Sequence, residues 1–305
     1  MGTPEFAVPS LRALLDAGHE IAAVVTQPDR PAGRGQELRV PPVKQLALSH
    51  GIPVLQPEKL RDPAIVEVLR ALQPDAIVVA AYGKILPRSL LDVPPSGAIN
   101  VHASLLPKLR GAAPIQHALL AGEPRTGITI MQMNERMDAG DILLQEAVAI
   151  LAEDTAGTLE RRLAEVGGRA LIEGLDRLLR GELTPVPQRE EDATLAPMIR
   201  KEHGLIDWTR NAHDIERATR AFDPWPGAHT IHRGRLLKIF RARVSELDRT
   251  APPGTVARAS GDEIVVATGR EALAIVELQL EGKRRLGARE FLAARGAIRE
   301  GERFG

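Results

Sequence analysis

The sequence predicts a doubly wound α/β domain with a mostly parallel sheet, followed by a small β-barrel domain. Three observations predict it. Short β-branched apolar runs alternate with helical patterns through the first 180 residues; a proline-rich, charged stretch then breaks both periodicities; and after one short helix, strand-like runs separated by turn residues follow.

Taken in order, a helix ends near Gly18, and residues 21–25, 76–81, 98–101 and 127–133 read as strands. Between and after them, residues 43–50, 64–72, 114–121 and 158–180 repeat apolar side chains at helical spacing, the last run stopping at Gly181 as a helix C-cap does. This alternation is the signature of a doubly wound sheet over residues 1–182. Residues 183–205 carry Pro185, Pro187 and Pro197 among charges and read as an interdomain linker. In residues 206–305 a helix at 212–221 precedes strands at 229–231, 236–244, 254–258, 264–267 and 273–280, and five short strands fit a small barrel of the OB type.

A sheet of this kind normally begins with its central strand. Here the chain starts Met1, Gly2, Thr3, Pro4 and runs almost at once into a helix. Without that strand two neighbours' ladders lie open, so the expectation is a truncated or mis-started record, with roughly eight to ten apolar residues upstream in the gene.

The chain has 305 residues, 44% of them apolar, and forty basic residues balance forty acidic ones, so overall charge points to no polyanionic partner. The charge is uneven along the chain, with the part after Ile199 the more basic. Cysteine is absent, which excludes disulfides, thiolate metal sites and a cysteine nucleophile and fits a reducing cytoplasm. No basic stretch leads into an apolar run at the N-terminus and no 18 consecutive apolar residues occur, so neither secretion nor membrane spanning is expected.

The run from Gly97 to Pro114, GAINVHASLLPKLRGAAP, holds the most chemistry. Asn100 and His102 share one face of a strand end, and carboxyl ends of strands are where open α/β sheets place their sites. An amide donor beside an imidazole suits acyl transfer: the amide holds an oxygen gaining negative charge, and the imidazole serves as base or second donor. Asp138, in the glycine-containing turn Met137 to Asp141, supplies a carboxylate able to orient His102. Each residue alone has an ordinary reading, a satisfied histidine, a turn aspartate or a capping asparagine. Gly33 and Gly35 do not complete a dinucleotide fingerprint, because Leu38 stands in the third place, and His102 lacks a clustered ligand set, so neither a nicotinamide nor a metal is expected. The run 27–39 is long for a strand-to-helix connection. Arg233, Arg235, Lys238, Arg241 and Arg243, and then Lys283 to Arg285, form basic clusters that read either as solvated faces or as a phosphate-tracking surface. Trp208 and Trp225 look like packing residues rather than base-stacking ones.

The chain closely resembles the methionyl-tRNA formyltransferase family. GTPEFAVPSL at Gly2, TQPDRPAGRG at Thr26, AYGKILP at Ala81, INVHASLLPKLRGAAPIQ at Ile99, TGITIMQM at Thr126, DAGDIL at Asp138, AEDTAGTL at Ala152, IDW at Ile206 and RAFDPWPGA at Arg220 carry the likeness across both domains. The resemblance implies a Rossmann-like formyltransferase domain with Asn100, His102 and Asp138 as catalytic trio. It implies Ser104, Leu105, Leu106 and Pro107 as the loop contacting tetrahydrofolate, and 10-formyltetrahydrofolate as co-substrate with no metal. It further implies initiator methionyl-tRNA as acceptor, met by Arg34 with Arg30 and Arg39 on the 27–39 loop and by Arg235 and Lys238 on the second domain. A cytoplasmic monomer working in translation initiation is the family expectation. The competing readings are a formyltransferase acting on a sugar-nucleotide amine, and a folate- or RNA-binding module without catalysis; PAGRG and RGAAPIQ favour tRNA over the first, and the intact trio speaks against the second.

Overall fold

The computed structural model describes residues 1–32, 37–246, 251–294 and 298–305. The chain forms two compact units, the first made of Met1–Pro114, Arg125–Ala149 and Glu160–Pro197, the second of Ile115–Pro124, Ile150–Leu159 and Met198–Gly305.

In order along the chain come α1 (Val8–Asp16), β1 (Val24–Val25), β2 (Arg30–Ala32), β3 (Glu37–Arg39), α2 (Pro42–Ser49), β4 (Val54–Leu55), α3 (Pro63–Ala71), β5 (Ile77–Ala80), α4 (Arg88–Leu91), β6 (Ala98–His102), α5 (Pro114–Ala121), β7 (Arg125–Gln132), β8 (Ile142–Ala149) and α6 (Ala156–Leu179). β4 and β1 pair in parallel, and β5-β6-β7-β8 form a second ladder in which β5 and β6 are parallel and the last two strands antiparallel. Met1 and Gly2 run between the two ladders as a two-residue piece of strand. The Gly2 N–H donates to Val25 O at 3.0 Å and the Ala80 N–H to Met1 O at 2.9 Å, with Gly2 bridged in parallel to Ala80. A mostly parallel sheet results, covered by helices.

β1 is shorter than expected. Residues 21–23 make no ladder bond among the described residues, and β1 spans only the two residues paired with β4. Beyond Met1 a cleft of about 350 Å³ continues the line of the Met1–Gly2 piece, with Leu11 and Leu14 of α1, Leu69 of α3, and Leu175 on its walls. The Met1 ammonium is buried at its mouth and donates to Val78 O. Loss of hydration drives its pKa down from 8.0 to about 5.

α6 packs against β6 and β7. Gly167 lets that helix close onto the sheet: a Cβ there would stand 2.9 Å from Val101 Cγ1. The helix ends at Gly181, in the left-handed conformation that the C-cap expectation required.

The segment expected as a free linker behaves differently. Val186 exchanges both backbone hydrogen bonds with Ile142 (2.8 and 2.9 Å), and Arg110 bonds Thr194 and Ala196 (2.9 and 2.7 Å). Its first part is therefore a strap on the first unit, in which prolines break periodicity without leaving the backbone unpaired. The second unit takes up the chain at Met198.

That unit contains α7 (Ala212–Ala221), β9 (His229–His232), β10 (Arg235–Ser245), β11 (Val256–Ser260), β12 (Glu263–Ala267), β13 (Ala272–Leu280), β14 (Leu286–Gly287) and α8 (Ala288–Leu292). Asn211 caps α7, its side chain accepting from the Asp214 N–H, three residues on. The strands form one antiparallel sheet in the order β11-β12-β13-β10-β9, with β14 on β13. It is not the closed barrel expected: among the described residues no strand pair joins β9 to β11. C-terminal residues lie at both edges instead, the Phe304 N–H donating to Gly254 O and the Gly305 N–H to Ile231 O. Trp208 packs with Ile215, Leu237, Ile264 and Leu273 in this unit's core, whereas Trp225, expected to pack, is 54% exposed.

Candidate active site

β6 sets out the chemistry. Side chains two residues apart on a strand leave the same face, and Asn100 and His102 do so at its carboxyl end, 9% and 6% exposed. The Asn100 side-chain amide carries N–H donors able to meet a ligand oxygen.

His102 is held from two sides. Its Nε2 lies 3.1 Å from Leu109 O. A carbonyl oxygen only accepts, so this contact puts a hydrogen on Nε2. Nδ1 then faces Asp138 Oδ1 at 3.7 Å. The other carboxylate oxygen of Asp138 accepts the Gly111 N–H at 2.8 Å. Leu109 and Asp138 both have positive φ, 60° and 50°. Such conformations cost about 1–3 kcal/mol at a non-glycine residue and persist only when neighbours hold them. Two residues past Asp138, Gly140 passes so close to β7 that a Cβ would sit 1.8 Å from Gln132 O. Asn100, His102 and Asp138, expected together from sequence, thus converge on one buried corner.

The loop at residues 104–107 divides. Ser104 is fully buried and donates to Lys108 O at 2.6 Å. Leu106 is buried at 3%, with its N–H on Thr129 Oγ1 and its carbonyl on Gln145 Nε2. Both residues turn inward and shape the loop; Leu105 and Pro107 are half-buried and keep surface for a ligand.

Of the arginines expected to meet nucleic acid, Arg34 lies outside the described residues. Arg30 and Arg39 are exposed and stand opposite each other on the β2–β3 hairpin. On the second unit the expected basic surface is largely neutralised from within. Arg233 pairs with Glu302, Arg241 with Glu153, Arg243 and Arg258 with Glu263, Arg284 with Glu290, and Arg285 with Glu277. Arg235 donates to Glu281 O at 2.6 Å, and Lys238 is half-buried opposite His229. Among the described residues no cluster of three His, Asp or Glu is placed to hold a metal, and no helix is long and apolar enough to cross a membrane.

Sequence reasoning missed Gln188, Thr194 and the Arg110–Glu190 pair. The Gln188 amide donates to Asp138 O at 2.9 Å and Gly140 O at 2.7 Å and accepts from Arg110, while Thr194 Oγ1 accepts the Leu109 N–H at 2.9 Å. Glu190, hydrogen-bonded first by Arg110 and then by Arg136, is held below the usual carboxylate range. The strap carries no apolar period, so no local signal marked these residues.

The family described as Formyl transferase matches residues 1–175, and the one described as Formyl transferase, C-terminal domain, matches residues 198–296. A methionyl-tRNA formyltransferase from Geobacillus thermodenitrificans is 52% identical over 298 residues, 97% of this chain and 93% of the relative. One from Alkaliphilus oremlandii is 47% identical over 305 residues, 100% of this chain and 98% of its own. The fold is similar to that of an N-formyltransferase from Helicobacter canadensis, solved with folinic acid and dTDP-3-aminofucose. That match has a TM-score of 0.66 at 17% identity and covers 90% of this chain and 97% of the other.

Proposed function

This chain belongs to the methionyl-tRNA formyltransferase family, and on that premise we propose how its residues divide the reaction. The chain is an enzyme that transfers a formyl group from a folate-derived donor to the amino group of methionyl initiator tRNA. The donor is 10-formyltetrahydrofolate. The methionyl amine attacks the formyl carbon, the new C–N bond forms as the bond to N10 breaks, and the proton lost by the amine ends on N10 of tetrahydrofolate.

Charge gathers on the formyl oxygen during attack. The Asn100 amide donates to that oxygen, and the His102 imidazole stands beside it, with Leu109 O at Nε2 and the Asp138 carboxylate facing Nδ1. Asp138 fixes the orientation of that ring. Leu105 and Pro107 offer the folate apolar surface, on a loop whose shape Ser104 and Leu106 maintain. Arg34, with Arg30 and Arg39, meets the acceptor end of the tRNA, and Arg235 and Lys238 meet its body. The protein works as a monomer in the cytoplasm.

One observation carries the reading: the buried Asn100 and His102 share a strand face, with the Asp138 carboxylate 3.7 Å from the imidazole. Purified protein is offered 10-formyltetrahydrofolate with methionyl initiator tRNA, a UDP-amino-sugar or water alone. Formyl transfer to the tRNA is expected; transfer confined to the sugar amine or to water overturns the reading.

A further inference from the structure

The strap at residues 186–196 reaches the active site without touching the reacting atoms. Two of its side chains bond the two partners of His102. Thr194 Oγ1 accepts the N–H of Leu109, whose carbonyl lies 3.1 Å from His102 Nε2. Gln188 Nε2 donates to Asp138 O (2.9 Å) and Gly140 O (2.7 Å), on either side of the turn that presents the Asp138 carboxylate to His102 Nδ1.

The Gln188 amide is fully used. Its two N–H groups go to two carbonyls, and its oxygen accepts Arg110 Nε at 3.0 Å and Nη2 at 2.8 Å. Rotating the amide by half a turn would set its N–H groups against the guanidinium and its oxygen against two carbonyls, so only one orientation satisfies the site. Arg110 is itself 6% exposed and tied at Nη1 to Glu190, 3.0 Å away. Asp138 and Leu109 both hold left-handed backbone, the conformation that needs external bonds to persist. One segment thus supplies a bond to each.

We propose that Gln188 and Thr194 are positioning residues for formyl transfer: Gln188 fixes the Asp138 turn and Thr194 fixes Leu109, so that the strap sets His102 from both ring nitrogens. The inference rests on the assignment of His102 and Asp138 to catalysis. Misplacing a catalytic group by about 1 Å commonly costs on the order of 100-fold in rate.

The test uses Gln188→Glu, which keeps the side-chain length and the acceptor for Arg110 but removes both N–H donors. A role confined to holding Arg110 survives this change; positioning of Asp138 does not. Expected is a fall in kcat of roughly 10- to 100-fold with KM for tRNA and folate within about twofold of wild type. Thr194→Val should slow turnover in the same way, and Thr194→Ser, which keeps the hydroxyl acceptor, should restore it. Asp138→Asn is assayed alongside. Wild-type turnover in Gln188→Glu and Thr194→Val beside a disabled Asp138→Asn overturns the positioning inference alone, whereas an unimpaired Asp138→Asn overturns the catalytic assignment beneath it. If Gln188→Glu loses its cooperative melting transition, the Thr194 pair decides the matter.

Discussion

Asp138 faces His102 Nδ1 with one carboxylate oxygen, at 3.7 Å, and accepts the Gly111 N–H with the other, at 2.8 Å. The two contacts separate the residue's charge from its shape. Asp138→Asn retains an oxygen for Gly111 and loses the negative charge beside the imidazole. We expect a folded protein whose kcat is lower by roughly 10²- to 10⁴-fold, the range seen when a histidine loses its orienting carboxylate. Steady-state turnover beside a melting curve checks this.

Asn100→Ala removes the amide assigned to the developing oxyanion. Loss of one such donor costs about 10²–10³ in kcat. The variant should still fold with a cooperative melting transition. Near wild-type turnover in this variant would remove Asn100 from the mechanism.

Gly140→Ala should harm both stability and activity. Its Cβ would stand 1.8 Å from the Gln132 carbonyl oxygen, a backbone atom of β7 with little room to move. Destabilisation of about 3 kcal/mol is the expected scale for overpacking of this severity, with reduced turnover because the Asp138 turn must shift. Thermal melting unchanged from wild type would refute it.

Contacts with tRNA should sort by pairing. Arg34→Ala should raise KM for tRNA and leave that for folate alone. Joint replacement of the exposed Arg30 and Arg39 by alanine should also make the logarithmic salt dependence of tRNA binding shallower by about one to two. Arg243→Ala, whose guanidinium is already taken by Glu263, should do neither. An equal effect at Arg243 would return the second unit's arginines to the interface.

What was legible in the sequence followed from periodicity and from residues acting close to their neighbours. α7 has the bounds its apolar repeat and Asn211 cap imply, and the alternation of β6 placed Asn100 and His102 on one face. What was not legible depends on distant chain. β1 spans only the two residues that pair with β4, and the second sheet stays open because closure depends on pairing between edge strands far apart in sequence. Gln188 reaches Asp138 across fifty residues through a stretch whose prolines suggested only a spacer.

The second unit includes Ile115–Pro124 and Ile150–Leu159, two pieces encoded well upstream of Met198. Modular exchange in evolution or in the laboratory has to respect that. A single crossover near residue 198 between two relatives would join a C-terminal half to segments of its own unit inherited from the other parent. Exchange that preserves this unit's packing carries these two upstream segments with it, although the matched C-terminal family spans residues 198–296 alone.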